Sequence, residues 1–410
     1  LRVISPKLCV ECKGHKYLCG LPTCPILNRF KSILITLSKI NNNQLIKGST
    51  PPSVIVGESK YPKVPVIVNI PPQVFSDEAK NYENPKEWWG RKSLSDIISL
   101  RSSLVSNIIE SIDINNPWIL YNKEISLTAI SLTPISSESR LRRIIQTNLK
   151  FDGKIMPTGI SGIVDKLRIE ENPKISKIFE KLVFDDIKSF EAVIELYKNK
   201  EDYYKIINAF SLGLLGTKKR RKLVPTRWAI TAIDSILGNY ILNKIKYYDE
   251  INEILLHKIS YLGNNFYIIL YPSKFRVNWI EIWYPLTAWT DTEFIIMELE
   301  ENYWGEYDLL DGGYMAARVS LLEYLESIKK QAGAIIIREI TPSYYAPVGN
   351  WHIRESVKHA LNDTKPIKFD SLKEALSFIN SIINKKINLF EIKSIKKLLS
   401  QRNILDYLSY

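Results

Sequence analysis

All four cysteines of the 410-residue chain, Cys9, Cys12, Cys19 and Cys24, fall within Leu8–Cys24 in the spacing C-x2-C-x6-C-x4-C. Two thiolates separated by two residues reach one metal from a tight turn, and a second pair completes a closed tetrahedral shell. The expected cofactor is therefore a structural Zn2+. Gly14 and Gly20 stand where such turns strain the backbone. His15 could compete as a ligand, but four cysteines fill the shell. The other use of four cysteines is two disulfides in an exported protein. No apolar leader precedes the pairs, and a chain of this length does not need staples. A closed four-cysteine shell folds a segment rather than catalysing, so reactive groups are sought elsewhere.

Several stretches carry residues suited to binding an anion. Gly48-Ser-Thr-Pro-Pro and Gly57-Glu-Ser flank a short apolar run, Ser53–Val56. Small residues there (Gly48, Ser49, Gly57) let backbone N–H groups approach a ligand, although turns around a core strand use the same residues. The segment lacks the lysine and spacing of a P-loop. Lys218, Lys219, Arg220, Arg221 and Lys222 form an unbroken basic run that could neutralise DNA phosphates or simply be solvated. On the helix expected from Thr226, the residues Arg227, Thr231 and Asp234 share a narrow polar stripe on an otherwise apolar surface. That stripe faces either a cleft or an internal ion pair. Asp311 precedes Gly312-Gly313 as an N-cap, and Arg318 lies on the apolar stripe of the following helix, where burial demands a carboxylate or a phosphate. Trp351 and Arg354 could stack a base and hold a phosphate, or serve as a core ring beside a surface ion pair.

The elements that must position these groups follow from periodicity. Helices are expected over Ile26–Ile40, within Pro85–Ile112, over Asn172–Phe210, from Thr226 and from Asp311 to about Gln331, with two more at Asp370–Asn384 and Leu389–Leu399. Strands are expected at Trp118–Ile135, Asn148–Ile163 (with a turn at Asp152-Gly153) and Ala334–Ile340. Phe266–Tyr271, Trp279–Tyr284 and Glu293–Glu300 read as neighbouring strands of an antiparallel sheet. No repeat or low-complexity linker divides the chain. The expected fold is α+β: one large mixed body with an antiparallel sheet and packed helices, plus the zinc-binding segment. Its divisions are residues 1–30 for the cysteine segment, 31–365 for the core body, 366–400 for a helical region and 401–410 for a tail. Hydrophobic residues make up 45%, enough for a sizeable core, and no stretch reaches the roughly 20 apolar residues of a membrane span. A net charge of +12 with a pI near 9.2 favours a polyanionic partner. The expected location is cytoplasmic and nucleoid-associated.

Taken together, the four-cysteine segment ending in CPI, GSTPPSVIVGESKYPKV, KLVPTRWAITAID, DGGYMAAR, REITPSYYAPVGNWHIRE and the extreme C-terminus resemble the archaeal NreA family of DNA-repair proteins. The resemblance spans nearly the whole chain. It implies a role in DNA-damage tolerance and a link to the sliding clamp PCNA. One departure is that family members often carry Glu before the Gly pair where this chain has Asp311, which sets a carboxylate about one methylene further back. The clamp link has residues to carry it: QRNILDYLSY matches Q-x-x-aliphatic-x-x-aromatic, with Gln401 as a polar hook and Ile404, Tyr407 and Leu408 as an apolar plug. Leu408 replaces the usual second aromatic.

Two functions are compatible with this reading. In the first, acids and arginines from the family-like stretches, Arg227, Asp234, Asp311, Arg318, Arg338, Glu339, Arg354 and Glu355, converge on one cleft. Arginines would hold the phosphates of an AMP- or ADP-ribose-like ligand, Trp351 would stack its base and Gly48–Gly57 would form a wall. Asp311, Asp234 and Glu355 would supply acid–base catalysis for cleavage of a glycosidic bond on DNA. A nuclease would want clustered acids and histidines around a metal, and four scattered histidines do not provide it. In the second, the chain is a non-catalytic, zinc-stabilised DNA-binding adaptor tethered to PCNA.

Overall fold

The computed structural model describes residues 6–40, 44–145, 158–285, 287, 290 and 293–400. The α+β class holds, but where one mixed body was expected the chain clusters into two compact units. The first comprises Leu1–Tyr240 with Tyr345–His352, the second Ile241–Tyr344 with Ile353–Tyr410. Two of the boundaries fall inside the helices Thr226–Ile245 and Trp351–Asp363. A helix needs no Pro/Gly-rich linker, so nothing in the composition marks them.

The first unit holds a six-stranded sheet built from β1 (Leu45–Thr50), β2 (Val54–Val56), β3 (Lys63–Ile70), β4 (Val105–Asp113), β5 (Ile135–Ile145) and β6 (Ile160–Ile169), in the order β1-β5-β6-β4-β3-β2. Every pairing is antiparallel except β4 with β6. Val64, Val66 and Val68 alternate into the core from β3, the period-2 pattern of a half-buried strand. The helix expected within Pro85–Ile112 stops at Ser102. Ser93 and Asp96 form a capping box at its start, and the β-branched run beyond Leu104 enters the sheet, pairing Ile108 with Ile67 and Ile109 with Val66. Trp118–Ile135 is not a strand. Pro117 adopts helical dihedrals and two short helices follow, Trp118–Tyr121 and Ile125–Thr128, before β5 begins at Ile135. Asn172–Phe210 breaks into three helices capped by Ser176, Glu191 and Asp202 respectively, starting at Lys177, Ser189 and Tyr203. Of the strand expected at Asn148–Ile163, residues 158–163 are described and are strand from Ile160, and the Asp152-Gly153 turn lies outside the described residues.

The second unit has its own six-stranded sheet, made of β7 (Ile254–Tyr261), β8 (Asn264–Tyr271), β9 (Arg276–Trp283), β10 (Ile295–Glu301), β11 (Gly333–Ile340) and β12 (Ile367–Phe369), ordered β10-β9-β11-β8-β7-β12. The strands β8 and β9, expected to be neighbours, are separated by β11, which runs antiparallel to β8 and parallel to β9. All eight residues of β11 are buried, as a central strand covered on both faces requires. On one face Ile335 and Ile337 pack with Tyr267, Ile269 and Ile280 against the helix Leu372–Ile382 through Ala375, Leu376 and Ile379. On the other, Trp279 meets Tyr314 of the helix Gly312–Ser327, with ring centroids 6.2 Å apart. No helix among the described residues is long and apolar enough to cross a membrane.

Candidate functional site

Cys9, Cys12, Cys19 and Cys24 are all free thiols and line one small cavity of about 20 Å3 beside Gly14, Tyr17 and Pro25. Gly14 is required there. Its φ is +80°, and a Cβ would stand 2.4 Å from Leu27 and 3.3 Å from the Cys24 sulfur. Backbone N–H groups, that of Leu18 foremost and then those of Gly14, Lys16 and Tyr17, hold the Cys12 thiol below its ordinary range. The donor set and its shared cavity fit a thiophilic ion, although among the described residues no three acidic, histidine or cysteine side chains are already drawn to metal-holding separation. The fit therefore rests on the common cavity alone.

The basic run is not one surface. Lys218, Lys219, Arg220 and Lys222 are exposed, whereas Arg221 is buried. Its guanidinium donates to the carbonyls of Gly216 (2.7 Å), Val183 (2.5 Å) and Asp185 (2.7 Å) and lies over the Trp118 ring. Arg221 thereby satisfies carbonyls at the end of the helix Lys177–Phe184, as cations at helix C-termini do. Four cations of the run, not five, are exposed.

The proposed ligand wall is filled by the protein itself. A Cβ on Gly48 would sit 2.2 Å from the Pro71 carbonyl oxygen, and one on Gly57 would sit 2.7 Å from the Pro65 ring. Ser49 accepts the Ser76 N–H at 2.9 Å. These small residues serve close backbone packing. Likewise Trp351 is buried, donates its indole N–H to the Val348 carbonyl at 2.7 Å and meets Trp88 edge-on, which is the core role rather than a stacking surface. Along the helix Thr226–Ile245 the polar stripe divides. Arg227, in the first turn, is exposed and faces Glu58 at 3.4 Å, while Asp234 is fully buried and accepts the Tyr203 hydroxyl.

In the second unit two arginines are closed on acids that sequence reasoning missed. Arg318 and Glu301 have no exposed side-chain surface. The guanidinium Nε and Nη2 donate to the two carboxylate oxygens at 2.6 and 2.7 Å, and the Tyr314 hydroxyl donates to the same carboxylate. Arg338 on β11 stands opposite Glu281 on β9, donating to it at 2.6 Å and to Asn264 at 3.0 Å. Trp283 donates to the other Glu281 oxygen at 3.1 Å. Burial raises the Glu281 carboxyl above the usual range; Arg338 pulls it down and the charge of Asp311 pushes it up. Neighbouring Glu339 collects Asn265, Tyr267 and Tyr284 as donors.

Asp311, half-buried, is the N-cap foreseen, accepting the Tyr314 N–H at 2.6 Å. A Cβ on Gly313 would stand 3.1 Å from Asp311 Oδ1, 3.2 Å from Ile353 Cδ1 and 3.5 Å from Glu281 Oε1, so the absence of a side chain lets both carboxylates approach the same stretch of backbone. Arg354 and Glu355 are buried in the helix Trp351–Asp363. The signal that could have found Glu281 was a lone Glu in an aromatic, β-branched strand, Trp279-Ile-Glu-Ile-Trp283; Glu301, beside Glu298 and Glu300, carried no such signal. Gln401, Ile404, Tyr407 and Leu408 lie outside the described residues.

The chain belongs to the archaeal Nre family. The family's N-terminal region matches residues 18–290 and its C-terminal region residues 300–407. Among relatives, "DNA repair protein NreA" of Archaeoglobus fulgidus is 37% identical over 386 residues, covering 92% of this chain and 94% of the relative. "DNA repair protein NreB" of the same organism is 32% identical over 92% of this chain and 93% of the relative. "DNA repair protein NreA" of Haloferax volcanii is 31% identical, over 76% and 77% respectively. No solved structure matches the chain significantly. The C-terminal family region begins inside β10, which pairs with β9 of the N-terminal region in one sheet, so the break does not coincide with the compact units.

The Arg318–Glu301 pair makes a direct prediction. Glu301→Gln leaves a guanidinium buried without a counter-charge and should destabilise the second unit by about 3–5 kcal/mol, whereas the double change Glu301→Leu, Arg318→Met should cost much less. Urea unfolding of both variants beside the parent protein reads the difference.

Proposed function

We propose that this chain is a DNA-repair protein, recruited by the sliding clamp, whose second unit hydrolyses a glycosidic bond of an ADP-ribosyl or nucleotide group carried on DNA. The repair role follows the relatives, named as DNA repair proteins over nearly the whole of this chain. The observation that supports the chemistry is the approach of the Asp311 and Glu281 carboxylates to the same stretch of backbone at Gly313. Glu281, whose carboxyl burial raises while Arg338 pulls it down, serves as the acid toward the leaving oxygen. Asp311, half-buried, takes a proton from the attacking water. Glu281 here replaces Asp234 and Glu355 as the partner of Asp311. The exposed cations Lys218, Lys219, Arg220 and Lys222 meet DNA phosphates.

The adaptor reading keeps one specific observation in its favour: Arg318 and Arg338 are each closed on an internal acid. An ADP-ribosylated oligonucleotide decides between them. Asp311→Asn should abolish release of the group with little loss of AMP binding, and the parent rate should fall as pH rises through the raised Glu281 pKa, because the acid form is needed. No turnover by the parent protein leaves the adaptor.

Zn2+ held by Cys9, Cys12, Cys19 and Cys24 would pin the N-terminal segment and take no part in catalysis. Elemental analysis of protein purified without chelator should find one zinc per chain, and Cys12→Ser should lose it while turnover persists. Deleting residues 401–410 should abolish capture on immobilised PCNA with the thermal midpoint unchanged; undiminished capture rules the motif out.

A further inference from the structure

A turn in the second unit has features that none of these roles uses. Directly after β10, Asn302 accepts the N–H groups of Trp304 (2.9 Å) and Glu306 (3.1 Å), and Gly305 closes the turn at φ +86°. A Cβ on Gly305 would meet Leu242 at 3.0 Å and stand 3.6 Å from the buried Glu301 carboxylate, so the turn is seated against the Arg318–Glu301 pair. The tip is thus fixed, yet it presents Trp304 with 72% of its surface exposed. Tyr303 stands edge-on to Trp304 at 5.1 Å. Two lysines from other segments converge on these rings: Lys246 lies over Tyr303 at 5.3 Å and over Trp304 at 5.8 Å, and Lys274 over Tyr303 at 5.5 Å. Beside them opens a cavity of about 540 Å3, lined by Phe275, Arg276, Tyr303, Glu306, Tyr307 and Lys397 among others. That volume is in the range of pockets that take a nucleotide-sized group.

An indole exposed on a rigid turn and flanked by ammonium groups matches the chemistry of one ligand class. We propose that Trp304, Tyr303, Lys246 and Lys274 form a platform for single-stranded DNA, with an unpaired base stacked on Trp304 and backbone phosphates held by the two lysines. Only an unpaired base offers its π-face to a side chain, which selects single strands over duplex. The cations separate this patch from a plain apolar docking face, and phosphate neutralisation gives them a purpose. Glu300, Glu301, Glu306 and Asp308 also line the cavity, so in this platform the phosphates lie toward Lys246 and Lys274 and away from those acids. The inference rests on the DNA-repair reading and adds to it where, and in which form, DNA is held.

The test is fluorescence anisotropy with a labelled oligo-dT, the same length of duplex, and free AMP as competitor. Trp304→Ala should weaken oligo-dT binding roughly tenfold and leave duplex binding unchanged, with Trp304→Phe retaining most of the affinity. Lys246→Ala with Lys274→Ala should flatten the salt dependence by roughly 0.7 per lost contact. Because Trp304 is exposed, circular dichroism should find the variants folded. Oligo-dT affinity unchanged in Trp304→Ala, or an equal loss on duplex, overturns the platform alone. Competition by AMP at stoichiometric strength also overturns it, in favour of a free-nucleotide site. Failure of the parent protein to bind either DNA form overturns the DNA-repair reading as well.

Discussion

The second unit depends on the buried contact among Arg318, Glu301 and Tyr314. A guanidinium away from water needs its charge countered, and the side-on carboxylate of Glu301 counters it while accepting from Nε and Nη2. That requirement fixes three elements at once. Glu301 ends β10, Arg318 and Tyr314 lie on successive turns of the Gly312–Ser327 helix, and the Asn302–Gly305 turn closes against the pair. A well-packed hydrocarbon core would tolerate sliding of the helix along the sheet. This pair does not, since a displacement of one residue breaks two short hydrogen bonds and strands a charge. The register it imposes places Asp311, at the start of the same helix, beside Glu281.

The second acid–arginine pair works along the sheet instead. Arg338 and Glu281 occupy opposed positions on parallel strands, so their distance is set by backbone hydrogen bonding. The parallel pairing therefore fixes the Glu281 carboxylate, and side-chain flexibility contributes little. Asn264 and Trp283 complete the shell from within the same sheet. A carboxylate held this way keeps its geometry without help from loops.

Local features were legible in the sequence. The cysteine spacing, the Asp311 cap, the buried β11 and the C-terminal helices all follow from neighbours within a few residues of one another. What escaped was non-local. Arg318 was seen to need a counter-charge, but Glu301 comes from a different strand and no period in the sequence links them. Trp351 and the Gly48–Gly57 turns looked like ligand surfaces because stacking rings and small residues are used identically in cores; only the positions of Trp88, Pro71 and Pro65 decide. Arg221 sat unremarked within a charge run because burial of a single member cannot be read from composition. The helix expected through Ile108 and Ile109 failed for a similar reason, since β-branched residues fit either period until a partner strand is known.

The placement of β11 also bears on how the chain acquires its shape. Only Pro272–Phe275 separates β8 from β9, a connection short enough for a simple hairpin, and the two strands emerge from the ribosome long before Gly333. Both are rich in aromatic and β-branched residues and would pair readily with each other. In the finished sheet they must remain one strand apart, leaving a slot that β11 enters from the C-terminal side. Until then two apolar edges stand open, and a prematurely closed hairpin has to reopen. The most buried strand of the unit is thus the last to arrive at its centre, so synthesis order and sheet order conflict there, and a newly made chain is most exposed to mispairing in that interval.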